Sequence, residues 1–175
     1  MRSGVNKSIL TPVEFLSRSV LVYPDKTAVV HGEKRFTYCQ FGERVYRLAD
    51  ALKKCGVKKG DKVAFLCPNI PPMLEAHYAV PLIGAALVSI NIRLSASEVS
   101  YIIEHSDAKV VVVDSAFASL VVPAELPGVE TYVTVCDVDD NIAHGSLEYE
   151  QFLATGKIQK FKLRDREWQG RKRIN

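Results

Sequence analysis

Tryptophan occurs once in these 175 residues, methionine twice, and histidine and cysteine four times each. The cysteines, Cys39, Cys55, Cys67 and Cys136, form no C-x-x-C pair and none stands at zinc-ligand spacing with a histidine, which argues against a dithiol redox motif and a structural zinc site. Free, scattered thiols fit a reducing, cytoplasmic setting. Cys67 follows an apolar stretch and reads as a small core residue. The longest apolar run, near position 80, is interrupted by Pro81 and Gly84, so no membrane span is expected. Residues 1–11 hold no apolar segment of the kind a secretory signal needs, and none is expected. Two glycine motifs are missing as well. Without G-x-S-x-G there is no nucleophile elbow for Ser/His/Asp hydrolysis. After the apolar residues Val63–Leu66 comes Cys67-Pro68-Asn69-Ile70-Pro71-Pro72, not the G-x-G-x-x-G of a dinucleotide site, and prolines have no amide to offer a pyrophosphate. There is no internal repeat and no low-complexity linker.

What is present suffices for a folded unit. The apolar fraction is 47% and the charged fraction 25%, ordinary for a globular protein. The net charge of +3 hides an asymmetry, because residues 157–175 hold eight basic and two acidic side chains while the remainder holds 15 basic and 18 acidic. Composition changes near Gly156. The expected organisation is therefore one compact unit over 9–156 followed by a basic tail, 157–175, expected to be a solvated, disordered end rather than a nucleic-acid binder.

Local signals place the elements. Thr11 and Pro12 suit the N-cap and first position of a helix with Val13, Leu16 and Val20 on one stripe. Thr27–Val30 and Arg35–Thr37 read as strands around the turn His31-Gly32-Glu33-Lys34. Thr37 and Gln40 form a capping box, followed at helical spacing by Phe41, Val45, Leu48, Ala49 and Leu52. Lys53 and Lys54 complement the dipole at the end of that helix, and Gly56 terminates it. Lys62–Leu66 reads as a strand. A helix capped by Asn69 follows, with Pro71 and Pro72 in its first turn and Pro81 near its end. Ala86–Ile90 is a second strand. Ser95 and Glu98 make another capping box before a helix that buries Val99, Ile102 and Ile103. Ala108–Val113 is an apolar, mostly β-branched run suited to a central strand buried on both faces. Thr131–Cys136 is a further strand, and Ser146 caps a last helix over Leu147–Leu153. Strands separated by helices pair in parallel. The expected fold class is thus α/β, an open, mainly parallel sheet with helices on both faces and a small β-hairpin near the start.

Few side chains stand out as chemistry. His31, His77, His105 and His144 are far apart in sequence. His77 shares a helix with Glu75 and fits the edge of a packing face better than a catalytic role. His105 closes a helix, where the dipole favours a cation. Asp114 ends the central strand at the carboxyl edge, where open α/β sheets bind ligands, although a turn-forming aspartate explains it too.

Several segments in order carry a resemblance: LTPVEFLSRSVLVYPDKTAVVHGEKRFTY, then KKGDKVAFLCPNIPPMLEAHYAVPLIGAALVSINIRLSASEVSYIIEHSDAKVVVVD. The succession G-D-K-V, P-N, G-A, N-x-R-L and H-S-D-A-K resembles the amino-terminal portion of the AMP-forming acyl-CoA synthetases, the acyl-adenylate-forming superfamily, in its fatty acid:CoA ligase-like branch. The resemblance runs from Ile9 to Trp168. It implies joining of a fatty or aromatic carboxylic acid to ATP with release of pyrophosphate, then transfer of the acyl group to the thiol of CoA, with ATP, Mg²⁺ and CoA as cofactors of the complete enzyme. That chemistry needs a loop rich in Gly, Ser and Thr whose amides wrap the triphosphate, and fixed charge at the transition state. The family keeps these in T-S-G-T-T-G-x-P-K-G, Y-G-x-T-E and later motifs, none of which occurs here. Glu167-Trp168 is similar to the family's approach to the loop, but Gly-Arg-Lys-Arg-Ile-Asn follows Gln169. A frameshift, an early stop or a split gene would each give that ending at Asn175.

The resemblance therefore assigns this chain no catalytic, cofactor-binding or metal-binding residue. It implies a scaffold role, with helices that help to wall an acyl pocket, no bound cofactor and no adenylation by these residues alone. The alternative is an interaction module that self-associates, as a homo-oligomer, or pairs with a carboxy-terminal partner through exposed apolar surface. Neither a nucleic-acid partner nor a membrane span is expected.

Overall fold

A computed structural model describes residues 11–136 and 146–157. Helix α1 (Pro12–Val22) begins as its sequence asks: Pro12 takes the first position and the Thr11 hydroxyl accepts from the Glu14 amide at 3.3 Å. Leu16 and Val20 face inward. Strands β1 (Thr27–His31) and β2 (Lys34–Thr37) form an antiparallel hairpin that turns over Gly32 and Glu33. Helix α2 (Tyr38–Lys54) opens on the reciprocal cap, with Gln40 N donating to Thr37 Oγ1 at 3.2 Å and Thr37 N donating to Gln40 Oε1 at 2.9 Å. Its stripe of Phe41, Val45, Leu48, Ala49 and Leu52 is buried. The chain leaves the helix through Gly56 at φ +93°, a conformation that costs glycine little.

The main sheet contains β3 (Lys62–Leu66), β4 (Ala86–Ser89), β5 (Ala108–Asp114), β6 (Thr131–Val135) and β7 (Leu147–Glu148), in the order β4-β3-β5-β6-β7 and parallel at every pairing. Helix α3 (Pro71–Leu82) connects β3 to β4 on one side, and α4 (Ala96–His105) brings the chain back across β3 to β5. Because crossovers are right-handed, opposite directions of travel put the two helices on opposite faces. The side chains agree. Val63 and Phe65 of β3 join one core with α1, α2, α3 and α5 (Tyr149–Thr155), while Ala64 and Leu66 join a second with Val99 and Ile103 of α4. Val110 and Val112 against Val111 and Val113 repeat the alternation on β5. The expected α/β class with helices on both faces and a hairpin is the architecture found.

Three local expectations are corrected. Asn69 does not cap α3; Ile70 holds the N-cap position without a side-chain bond. Pro71 and Pro72 lack the amides that a cap would satisfy. Ile90 lies beyond the end of β4 but still donates its amide to Phe65 O at 2.9 Å. Residues 147 and 148, expected to be helical, form β7 instead, and Glu148 caps α5 by accepting from the amides of Glu150 and Gln151 at 2.9 and 2.8 Å. Ser146, the expected cap, pairs its hydroxyl with Thr134 Oγ1 at 2.6 Å. His144 and residues 158–175 lie outside the described residues.

Candidate functional site

The strand order reverses between β3 and β5, so the crevice at their carboxyl ends is the position where such sheets accept ligands. Leu66 pairs with Val113, which brings Cys67 beside Asp114. Both are buried, at 4% and 7% exposure. The Asp114 carboxylate accepts from the Ala116 amide at 3.0 Å and caps the 3₁₀ turn Ser115–Leu120, the turn-forming role its sequence allowed. Burial, followed by the Asp114 charge, pushes the Cys67 thiol far above its ordinary pKa. Cys67 is a packed, protonated thiol and no nucleophile.

The described histidines do not converge there. His77 is exposed on α3, its Nδ1 2.8 Å from Met73 O, whereas Glu75 on the same helix is fully buried. His105 is exposed at the end of α4 and stacks on Tyr101, ring centroids 5.4 Å apart. His31 lies in β1.

Another polar constellation, one the sequence did not disclose, joins three helices. Arg44 of α2 donates from Nε to Glu75 of α3 at 2.5 Å, and from its two terminal nitrogens to Glu150 of α5 at 2.9 and 2.6 Å. Tyr149 of α5 donates its hydroxyl to the other oxygen of Glu75 at 2.6 Å. The guanidinium also covers the Phe36 ring of β2, 5.1 Å from its centroid. Burial works against the Arg44 charge, but the bonds and charges of Glu150 and Glu75 outweigh it and raise its pKa. Burial, then the Glu75 charge, holds the Tyr149 hydroxyl protonated, well above its usual pKa. Two hollows flank the group. One, of about 230 Å³, is lined by residues that include Phe36, Gln40, Arg47 and Leu153. The other, of about 40 Å³, meets the carboxyl edge at Ile70, Pro71, Val135 and Cys136.

Among the described residues every buried side-chain nitrogen and oxygen has a hydrogen-bond partner, and no three His, Cys, Asp or Glu side chains gather as metal ligands. Among the described residues no helix is long and apolar enough to cross a membrane.

A family model described as AMP-binding enzyme matches residues 16–165. The chain belongs to that family. It is 36% identical to a peroxisomal acetate/butyrate–CoA ligase of Arabidopsis thaliana over 86% of this chain and 29% of that protein. It is 35% identical to an acetate–CoA ligase of Humulus lupulus over 96% of this chain and 33% of that protein. Among solved structures it is similar to an anthranilate CoA ligase in complex with anthranoyl-AMP, with TM-score 0.78 and 25% identity over 83% of this chain and 28% of that one. The match is to the amino-terminal part of such proteins, and the chain spans about three tenths of the length of these curated relatives. Family enzymes are AMP-forming ligases that act on carboxylic acids and use ATP, Mg²⁺ and CoA. The crevice and the Arg44 group thus lie within the part of the chain matched by that family model.

Proposed function

We propose that these residues supply framework to an AMP-forming fatty or aromatic acid:CoA ligase, and that they do not adenylate a carboxylate alone. The compact unit is taken as 9–156 and no residue of the chain is assigned a catalytic, cofactor or metal role. The observation that carries this is the ordered family match over 16–165 in a sequence holding no T-S-G-T-T-G-x-P-K-G loop. Triphosphate needs several convergent backbone donors; the helix that follows β3 at the crevice, α3, opens with two prolines. A cytoplasmic setting belongs to the same proposal, although the Arabidopsis relative is described as peroxisomal. The test is ATP–pyrophosphate exchange by the purified 175-residue chain across fatty and aromatic acids. No exchange above the protein-free blank is expected, and robust exchange would overturn the proposal.

A second function is favoured by one observation. Phe15, Leu21, Val22, Tyr23 and Val30 are 49–60% exposed across the first two elements and the link between them, which suits association with another copy or a carboxy-terminal partner. Light scattering should then show a mass rising with concentration; a strict monomer at high concentration counts against it.

A further inference from the structure

Charge stands in the interior between α2, α3 and α5 where apolar side chains would pack as well. Glu75 is fully buried on a helix whose other inward residues are Pro71, Pro72, Met73, Ala76, Ala79 and Val80. Replacing buried ion pairs with apolar groups of similar volume is often neutral or stabilising, so stability is a poor reason for Glu75 and Arg44. Register is a better one. Helix α5 has seven residues, too few to persist without tertiary contacts. Its apolar anchors, Phe152 and Leu153, share a core with the long stripe of α2. Apolar contact is non-directional, so the stripe alone does not set where α5 sits along it, and the pairing of β7 with β6 holds only its start. The hydrogen bonds cannot slide. A displaced α5 would take Tyr149 from Glu75 and Glu150 from Arg44, leaving buried polar groups unpaired.

We infer that Arg44, Glu75 and Tyr149 are positioning residues that fix the register of α5 on α2, and with it the wall that Tyr149 and Glu150 give to the hollow at the carboxyl edge of the sheet. Bidentate and planar, the guanidinium can hold two carboxylates from two helices while stacked on Phe36, which an ammonium cannot do. At the far end of α5 the Lys157 amide donates to Asp50 at 2.8 Å, so the helix is tied to α2 at both ends. This inference rests on the geometry alone and is independent of the proposed ligase role.

The triple variant Arg44→Met, Glu75→Met, Tyr149→Phe of the whole chain keeps the volume and removes the directional bonds. Amide hydrogen exchange followed by mass spectrometry compares 149–157 with α2 and β5. The α5 amides should exchange at least ~10-fold faster while those of α2 and β5 change less than ~3-fold, a local opening rather than a global one. Unchanged α5 protection would overturn the inference, as would uniform acceleration, which marks a purely stabilising network. Should the triple variant fail to fold, Arg44→Lys carries the same comparison: selective loss at α5 supports the inference, and equal protection everywhere overturns it.

Discussion

Glu75 has no exposed surface and two donors, from Arg44 at 2.5 Å and from Tyr149 at 2.6 Å. Truncation to alanine strands the buried Tyr149 hydroxyl and the Arg44 Nε, and Arg44, which keeps its bonds to Glu150, is itself only 19% exposed. Glu75→Ala should cost about 3–5 kcal/mol, the range for breaking a buried pair from one side. Urea unfolding at pH 7 measures it, and a loss below about 1 kcal/mol would mean that water already serves Arg44. Glu150→Gln is the control: that side chain is 58% exposed, so its loss should stay below about 1 kcal/mol. The sequence hid this group for a physical reason. Arg44 and Glu75 are 31 positions apart, and Glu75 and Tyr149 are 74 apart, so only the packing of three helices joins them. The one available signal was a carboxylate amid the apolar run of α3. Cys67 was legible because its burial follows from the strand beside it, and the cap role of Asp114 because it is made to an amide two residues away.

Elements were legible where their own residues decide them. The capping boxes of α2 and α4 lie within four residues, and both form. The expected helix Leu147–Leu153, capped by Ser146, instead starts at Tyr149 because pairing with β6 claims its first residues: Leu147 aligns with Val133 and Glu148 with Thr134, partners no local pattern names. The junction of α5 with α2 carries two predictions. A Cβ added to Gly156 would stand 2.1 Å from the Arg47 carbonyl oxygen. That contact is with backbone and cannot be relieved by a rotamer, so Gly156→Ala should destabilise by about 1–3 kcal/mol, read as a lower urea midpoint. Nearby, the Asp50 carboxylate accepts from the Lys157 amide and faces Lys54 Nζ at 3.0 Å. The Lys157 bond first, then Lys54, hold its pKa below the usual value. A carboxylate depressed in the folded state stabilises above its unfolded pKa, and that contribution is lost as pH falls through the folded value. Stability should therefore decline below about pH 4, and less steeply in Asp50→Asn, as followed by thermal unfolding across pH 2–6. An identical acid limb in the variant would show that Asp50 contributes nothing to it.

At the scale of the molecule, one sheet separates two apolar cores, and β5 feeds both: Val110 and Val112 go to the side of α2 and α3, Val111 and Val113 to the side of α4. A strand clamped on both faces cannot let one core melt while the other stays ordered. The described parts of the chain should therefore unfold as a single cooperative unit despite the short pieces at their margins. Leu48 is fully buried in the first core and Ile103 is 1% exposed in the second. Leu48→Ala should lower stability by about 2–5 kcal/mol and Ile103→Val by about 0.5–1.5 kcal/mol. With the sheet between them and no shared partner, the two losses should add to within about 0.5 kcal/mol. Far-ultraviolet circular dichroism and tyrosine fluorescence should report one coincident transition for each variant. Two separated transitions in Ile103→Val would mean that the α4 face unfolds by itself, and that the parallel sheet does not couple its faces.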